Sequence, residues 1–213
     1  MTEPLPDLTD YLDDLTFWRP RDQDSATALQ RLSLGSPELH PLAEFHADHG
    51  RRAAIIAFDS AAVWDEPGHR SIVALRLERD LGRREFSLRA GLFPTQPLAA
   101  RWLASLGVPI ERIEPITQMQ RTTDLQALRI EDDVSRSGTR FRLLYDYTHA
   151  DEVWTVFQDR APGDLPPFLA HREVANDASC ETDYHVHEAR FETPELAQSW
   201  LIERDGPLPA AGS

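Results

Sequence analysis

The chain has 213 residues and is strongly acidic: 36 carboxylates stand against 22 basic residues, every one of them arginine, for a formal net charge of -14. With no lysine there is no side-chain amine to form an imine or give up a proton at neutral pH, which excludes Schiff-base and pyridoxal chemistry, phosphate-loop NTPases, protein kinases and Ser/Lys hydrolases acting alone. The single cysteine, Cys180, excludes an intrachain disulfide and any two-thiolate zinc site.

Hydrophobic content of 41% and charged content of 27% are those of a globular chain. The N-terminal segment 1–22 is acidic where a secretory signal is basic and then apolar, which predicts a cytoplasmic protein. Leu5, Leu8, Tyr11, Leu12 and Leu15 recur near helical spacing among aspartates. They predict a short amphipathic helix that packs on its own domain or docks on a partner.

A first half spans 36–107. Ser36 as N-cap, Pro37 at the first position and Gly50 as terminator predict a helix over 37–49. Strands follow at 53–58, 71–78 and 85–93. The last two are joined through Asp80, Leu81 and Gly82, with glycine supplying the positive φ. Leu98, Ala99, Trp102, Leu103 and Leu106 then make one helical stripe over 96–106, stopped by Gly107 and Pro109. The longest apolar run, 53–58, falls far short of the ~20 residues that cross a bilayer.

Two prolines mark 108–121 as a linker. The second half, 122–206, reads as strands at 140–148, 153–158, 168–174 and 184–191. A helix follows, with Thr193 as N-cap, Pro194 first and Leu196, Ala197, Trp200 and Leu201 as its stripe, before a flexible tail at 207–213. FPTQPLAARWL from Phe93 and FETPELAQSWL from Phe191 agree at Phe, Thr, Leu, Ala, Trp and Leu, each after a strand and before glycine and proline. The expected fold is α+β, in two similar halves, each an antiparallel meander with helices packed on one face. The alignment puts Phe86 and Leu88, like Tyr184 and Val186, on the helix-covered face, and leaves His185 and His187 on the other.

Glycine-rich phosphate cradles, nucleophile elbows and HExxH are absent from the sequence. Glu44, His46, Asp48 and His49 in EFHADHG resemble the HxHxDH motif of metallo-β-lactamase-type hydrolases, with Glu44 in place of the first histidine; the resemblance implies a bound metal. The helical reading instead puts His46 and His49 in a last turn, beside the carbonyl end of the dipole. His185 and His187, two apart on a strand, share a face and can reach one ion. With Glu192 they are similar to the first half of the cupin metal motif, without its glycines, and His171 resembles a fragment of the second half. That resemblance implies a divalent transition metal on His171, His185, His187 and Glu192. Asp132 with Asp133 and Asp151 with Glu152 read as loop acids, and Trp64, Tyr145, Tyr147, Trp154 and Phe157 as core.

The expected function is a non-catalytic, acidic, cytoplasmic binding or regulatory protein, of the inhibitor, immunity or chaperone kind, that engages a basic protein partner and neither nucleic acid nor membrane. The alternative is a metal-dependent enzyme or small-molecule binder using His171, His185, His187 and Glu192.

Overall fold

The computed structural model describes residues 12, 14–34, 39–60, 70–115, 125–136, 140–149, 152–175 and 184–203. The fold is α+β, and the chain divides into two compact units, Met1–Asp65 with Ser71–Gln118, and Glu66–Arg70 with Met119–Ser213. Trp64, Asp151, Cys180 and the tail 207–213 lie outside the described residues, as does most of the N-terminal stripe.

In the first unit, a helical turn carrying Leu12 and Leu15 precedes β1 (Arg19–Pro20) and α1 (Gln23–Leu34). Four antiparallel strands follow, β2 (Leu39–Ala47), β3 (Arg52–Asp59), β4 (Ile72–Asp80) and β5 (Glu85–Phe93), then α2 (Gln96–Ser105) and β6 (Glu114–Pro115). The sheet order is β1-β5-β4-β3-β2-β6, with β1 parallel to β5 and β6 antiparallel to β2.

Ala53–Ala57 and Ile72–Leu75 are buried without a break. Such uninterrupted apolar strands need cover on both sides, and they receive it. Ile55, Val73, Leu75, Phe86 and Leu88 pack with Leu12, Leu15 and Leu32 beneath α1. Ile56, Ala74, Phe58 and Phe93 pack with Ala99, Leu103 and Trp102 of α2 on the opposite face. The expectation of helices on one face is therefore corrected: each sheet is covered by one helix on each side.

The helix expected over 37–49 is the strand β2. Pairing along the whole of β3 overrides the capping pattern, and a register shift between Pro41 and Ala43 accommodates the proline, which has no N–H to give the ladder. Gly50 ends a hairpin turn in which Asp48, His49 and Gly50 all have positive φ, at 54°, 54° and 78°. In the β4–β5 turn the left-handed residue is Arg84, not Gly82, and the Asp80 carboxylate accepts from the N–H groups of Gly82 and Arg83.

The second unit contains α3 (Leu125–Arg136), β7 (Phe141–His149), β8 (Glu152–Asp159), β9 (Phe168–Ala175), β10 (Tyr184–Phe191) and α4 (Pro194–Ile202), with sheet order β10-β9-β8-β7, antiparallel throughout. Trp154, Val156 and Ala170 pack with Ala197 and Leu201 of α4. Val186, from the other face, packs with Ile130 of α3. The terminal helix thus covers the face of Ala170, Ala189 and Phe191, which by alternation is that of His185 and His187, reversing the expected sides. Asp132 and Asp133 belong to α3 rather than a loop. Glu152 opens β8, where its buried carboxylate accepts from Trp154 Nε1 at 2.6 Å and Arg172 Nη2 at 2.9 Å.

Candidate functional site

The β9–β10 register sets His171 opposite Glu188, His187 opposite Arg172 and His185 opposite Val174. Neighbours along a strand point to opposite faces, so His171 lies on the α3 side while His185 and His187 lie on the other, exposed to solvent. His171 is 4% exposed. Glu192 follows the end of β10 and is also exposed. The structure brings His185 and His187 to one face and separates them from His171. Among the described residues no group of three or more His, Cys, Asp or Glu side chains is arranged to hold a metal ion. In EFHADHG, His46 Nε2 lies 3.0 Å from Glu44 Oε2, both on β2, and Asp48 pairs with Arg52.

Two features of the second unit stand out. The first is the outer face of α4. Thr193 Oγ1 caps the helix by accepting from the Leu196 N–H at 3.3 Å, and Ala197 and Leu201 anchor the inner face. Leu196 and Ile202 face water, 53% and 64% exposed. Glu192 and Glu195 near the start of the helix and Glu203 at its end are also exposed, and the helix carries no basic residue. Two exposed aliphatic side chains on a helix with exposed glutamates close in sequence, and no arginine among its own described residues, can hold the apolar side of a segment that brings its own positive charge.

The second feature is the layer between the sheet and α3. His171 stacks edge-on against Phe157, with ring centroids 5.1 Å apart, and its Nε2 is buried without a hydrogen-bond partner, 4.0 Å from Glu188 Oε2. The buried hydroxyl of Thr155 likewise has none. Burial, and then the Arg190 guanidinium, hold the His171 imidazole down at about 3, so it is neutral. Glu173, two residues along β9, has its carboxyl pushed well above the ordinary range by burial and then by the Glu131 carboxylate of α3. Arg129 of α3 reaches Glu188 at 3.0 Å.

At one end of this face the fully buried Asp159 carboxylate accepts two hydrogen bonds from Arg140 at 2.7 Å and one from Arg190 at 3.1 Å. Burial alone would raise this carboxyl; the hydrogen bonds from Arg140, the Ala161 N–H and Arg190 outweigh it and bring it to about 2. Sequence reasoning singled out His171 and passed over Glu131, Glu173 and Asp159. The available signal was the i, i+2 pair His171 and Glu173 beside Leu169 on one strand face, facing Ile130 and Val134 at i, i+4 on α3.

No family model matches the chain, and neither a curated protein nor a solved structure matches it. Among the described residues no helix is long and apolar enough to cross a membrane.

Proposed function

We propose that the chain is a non-catalytic acidic binding or regulatory protein, built by duplication of one α+β module, that engages a basic protein partner through the outer face of α4. The lone Cys180 fits a reducing compartment, and the cytoplasm is where we place it.

Matched local geometry supports the duplication. Each module runs helix, four antiparallel strands, helix; α1 and α3 are both 12 residues, β2 and β7 both nine, β3 and β8 both eight. Leu39 faces Asp59 and Phe141 faces Asp159, and the register shifts between Pro41 and Ala43 in one module and between Leu143 and Tyr145 in the other. Phe93 with Trp102 and Phe191 with Trp200 stack at 5.5 and 5.8 Å, both tilted by 46°.

The observation that carries the binding reading is a difference at one matched position. Leu98, third residue of α2, is 3% exposed, while Leu196, third residue of α4, is 53% exposed. The first module buries this position and the second leaves it exposed, with the exposed Glu192, Glu195 and Glu203 close by in sequence. Arginines elsewhere, among them Arg70, Arg89, Arg140, Arg172 and Arg190, are held in ion pairs with Asp146, Asp22, Asp159 and Glu152. The excess negative charge therefore stays available to a cationic partner, whose encounter it would steer.

The test is affinity capture from a native lysate at low and high salt, comparing the unmodified chain with Glu192→Gln/Glu195→Gln/Glu203→Gln and with Leu196→Ser/Ile202→Ser. One basic protein, retained at low salt and released at high salt, is expected to be lost with both variants. A partner indifferent to salt, or captured equally by both variants, would remove the reading.

A further inference from the structure

Matched residue by residue from Thr95 and Thr193, α2 and α4 share an inner side and differ on the outer one. Ala99 and Leu103 of α2, like Ala197 and Leu201 of α4, are buried against their own sheets. On α2 burial continues over Pro97, Leu98 and Ala100, so that helix is enclosed on more than its sheet side. At the corresponding places on α4, Glu195 and Leu196 are exposed and Gln198 is half-buried.

The side chains change along with the exposure. Glu192, Glu195 and Glu203 stand where the first unit has Pro94, Pro97 and Ser105, and Ile202 stands where it has Ala104. A helix that merely faces water gains charge and sheds aliphatic area. The outer side of α4 gains both. Its exposed positions, with the residue that ends the helix, are Glu195, Leu196, Ser199, Ile202 and Glu203, at i, i+1, i+4, i+7 and i+8. That spacing gathers them on one side of a helix, with the small Ser199 between the two aliphatics. At a rise of about 1.5 Å per residue, Glu195 and Glu203 are separated by roughly 12 Å along the axis.

Charge and backbone chemistry choose among occupants. A second copy of this chain would set its own Glu192, Glu195 and Glu203 against these, with no basic residue on the helix to meet them, and like charges in contact oppose association. An extended segment takes its affinity from main-chain hydrogen bonds to a sheet edge, which the side of a helix does not offer. A helix satisfies its own backbone, and its ridges fit the grooves between the side chains of another.

We propose that the basic partner presents an amphipathic helix, which packs lengthwise on α4 with its apolar stripe over Leu196, Ser199 and Ile202 and with arginine or lysine reaching Glu195 and Glu203. This gives the form of the partner and rests on the binding reading above. With that helix in place α4 is enclosed on more than its sheet side, as α2 is.

The probes are synthetic peptides of about 18 residues, long enough to form a helix, all of one composition of leucine, arginine and alanine. In the first, leucine recurs at i, i+3, i+4 and i+7; in the second it alternates; in the third the order is scrambled. Each is titrated calorimetrically into the full chain at low salt, and hydrogen exchange of α4 is followed in the complex. The helix-patterned peptide should bind at least about tenfold tighter than the other two, the equivalent of about one buried leucine, and slow exchange along Pro194–Ile202. That advantage should vanish with Leu196→Ser/Ile202→Ser, whereas Glu192→Gln/Glu195→Gln/Glu203→Gln should weaken all the peptides alike. Should the serine variant fail to fold, Ser199→Arg, which adds bulk and positive charge on the exposed side alone, should remove the advantage in its place. Equal affinity for all the peptides, preference for the alternating one, no binding, or an advantage that survives these substitutions would overturn the helical occupant. So would a dimer of the chain alone, seen in sedimentation and lost with the serine variant, which would give the face to a second copy. The peptide outcomes leave the binding reading standing, because lysate capture decides that separately.

Discussion

Asp159 shows what a single buried charge does in this protein. Its carboxylate is sealed from solvent while Arg140 and Arg190 keep part of their length in water. Asp159→Ala leaves two guanidiniums without their acceptor and should destabilise the second unit by about 3 kcal/mol, the low end for breaking a buried pair because both arginines can rehydrate. Urea denaturation followed by tryptophan fluorescence measures it. The pH dependence has a definite sign. The folded carboxyl sits at about 2 against an ordinary 3.8, so its contribution is complete above 3.8 and is lost as pH falls from there towards 2. Removal of Asp159 should flatten that part of the acid-denaturation curve.

The helices and strands differ in how far their sequences announce them. Glu85–Phe93 and Tyr184–Phe191 are strands over the residues their patterns indicate, and Thr193 with Pro194 opens α4 as expected. Those segments combine regular alternation or a full stripe with an unambiguous start. By contrast, α1 has only Ala28, Leu29 and Leu32 to mark its inner side; its start is fixed by Asp22, which accepts from the Ser25 N–H at 2.7 Å and is clamped by Arg89. In α3, charged residues surround Ile130 and Val134, and the adjacent aspartates suggested a loop. For β2, proline and glycine at helix-boundary spacing outweighed a strand pattern that only its neighbour makes persuasive. The candidate site was legible to the same extent: His171, His185 and His187 were visible as residues, but which side of the sheet each took depended on helices the pattern had not revealed.

Capping gives a measurable contrast between the terminal helices. Thr193 accepts from Leu196 N–H, whereas Thr95, in the same extended conformation before α2, makes no side-chain cap bond. Thr193→Ala should cost about 1 kcal/mol through the cap. Thermal melts of Thr193→Ala and Thr193→Ser, the latter keeping the acceptor, separate this from packing. Deeper in the same helices, Leu103 and Leu201 are fully buried, and replacing either with alanine should cost about 2–5 kcal/mol. Chemical denaturation of each variant, read in its own unit, is the check.

For the whole molecule, the proposed function assigns charge and aliphatic contact different parts in binding. Leu196 and Ile202 are two of several exposed large hydrophobics, with Phe17 and Leu125 more exposed than either; what sets them apart is that they share one short helix with exposed glutamates close in sequence. Steering by net charge acts on the association rate and weakens with ionic strength, whereas aliphatic contact acts on residence. Surface-based kinetics with the captured partner should therefore show the glutamate substitutions mainly slowing association and the Leu196→Ser/Ile202→Ser variant mainly hastening dissociation.

The meeting of Arg140, Asp159 and Arg190 also has a mechanical consequence. Arg140 leads into β7, Asp159 ends β8 and Arg190 belongs to β10, so one carboxylate rivets both outer strands to an inner one at a single end of the sheet. The second sheet is built like a folding fan. Pulled apart at the rivet in a force spectrometer, β7 and β10 should resist more strongly than when drawn from the His149 and Tyr184 ends, and cutting the rivet should make the two directions alike.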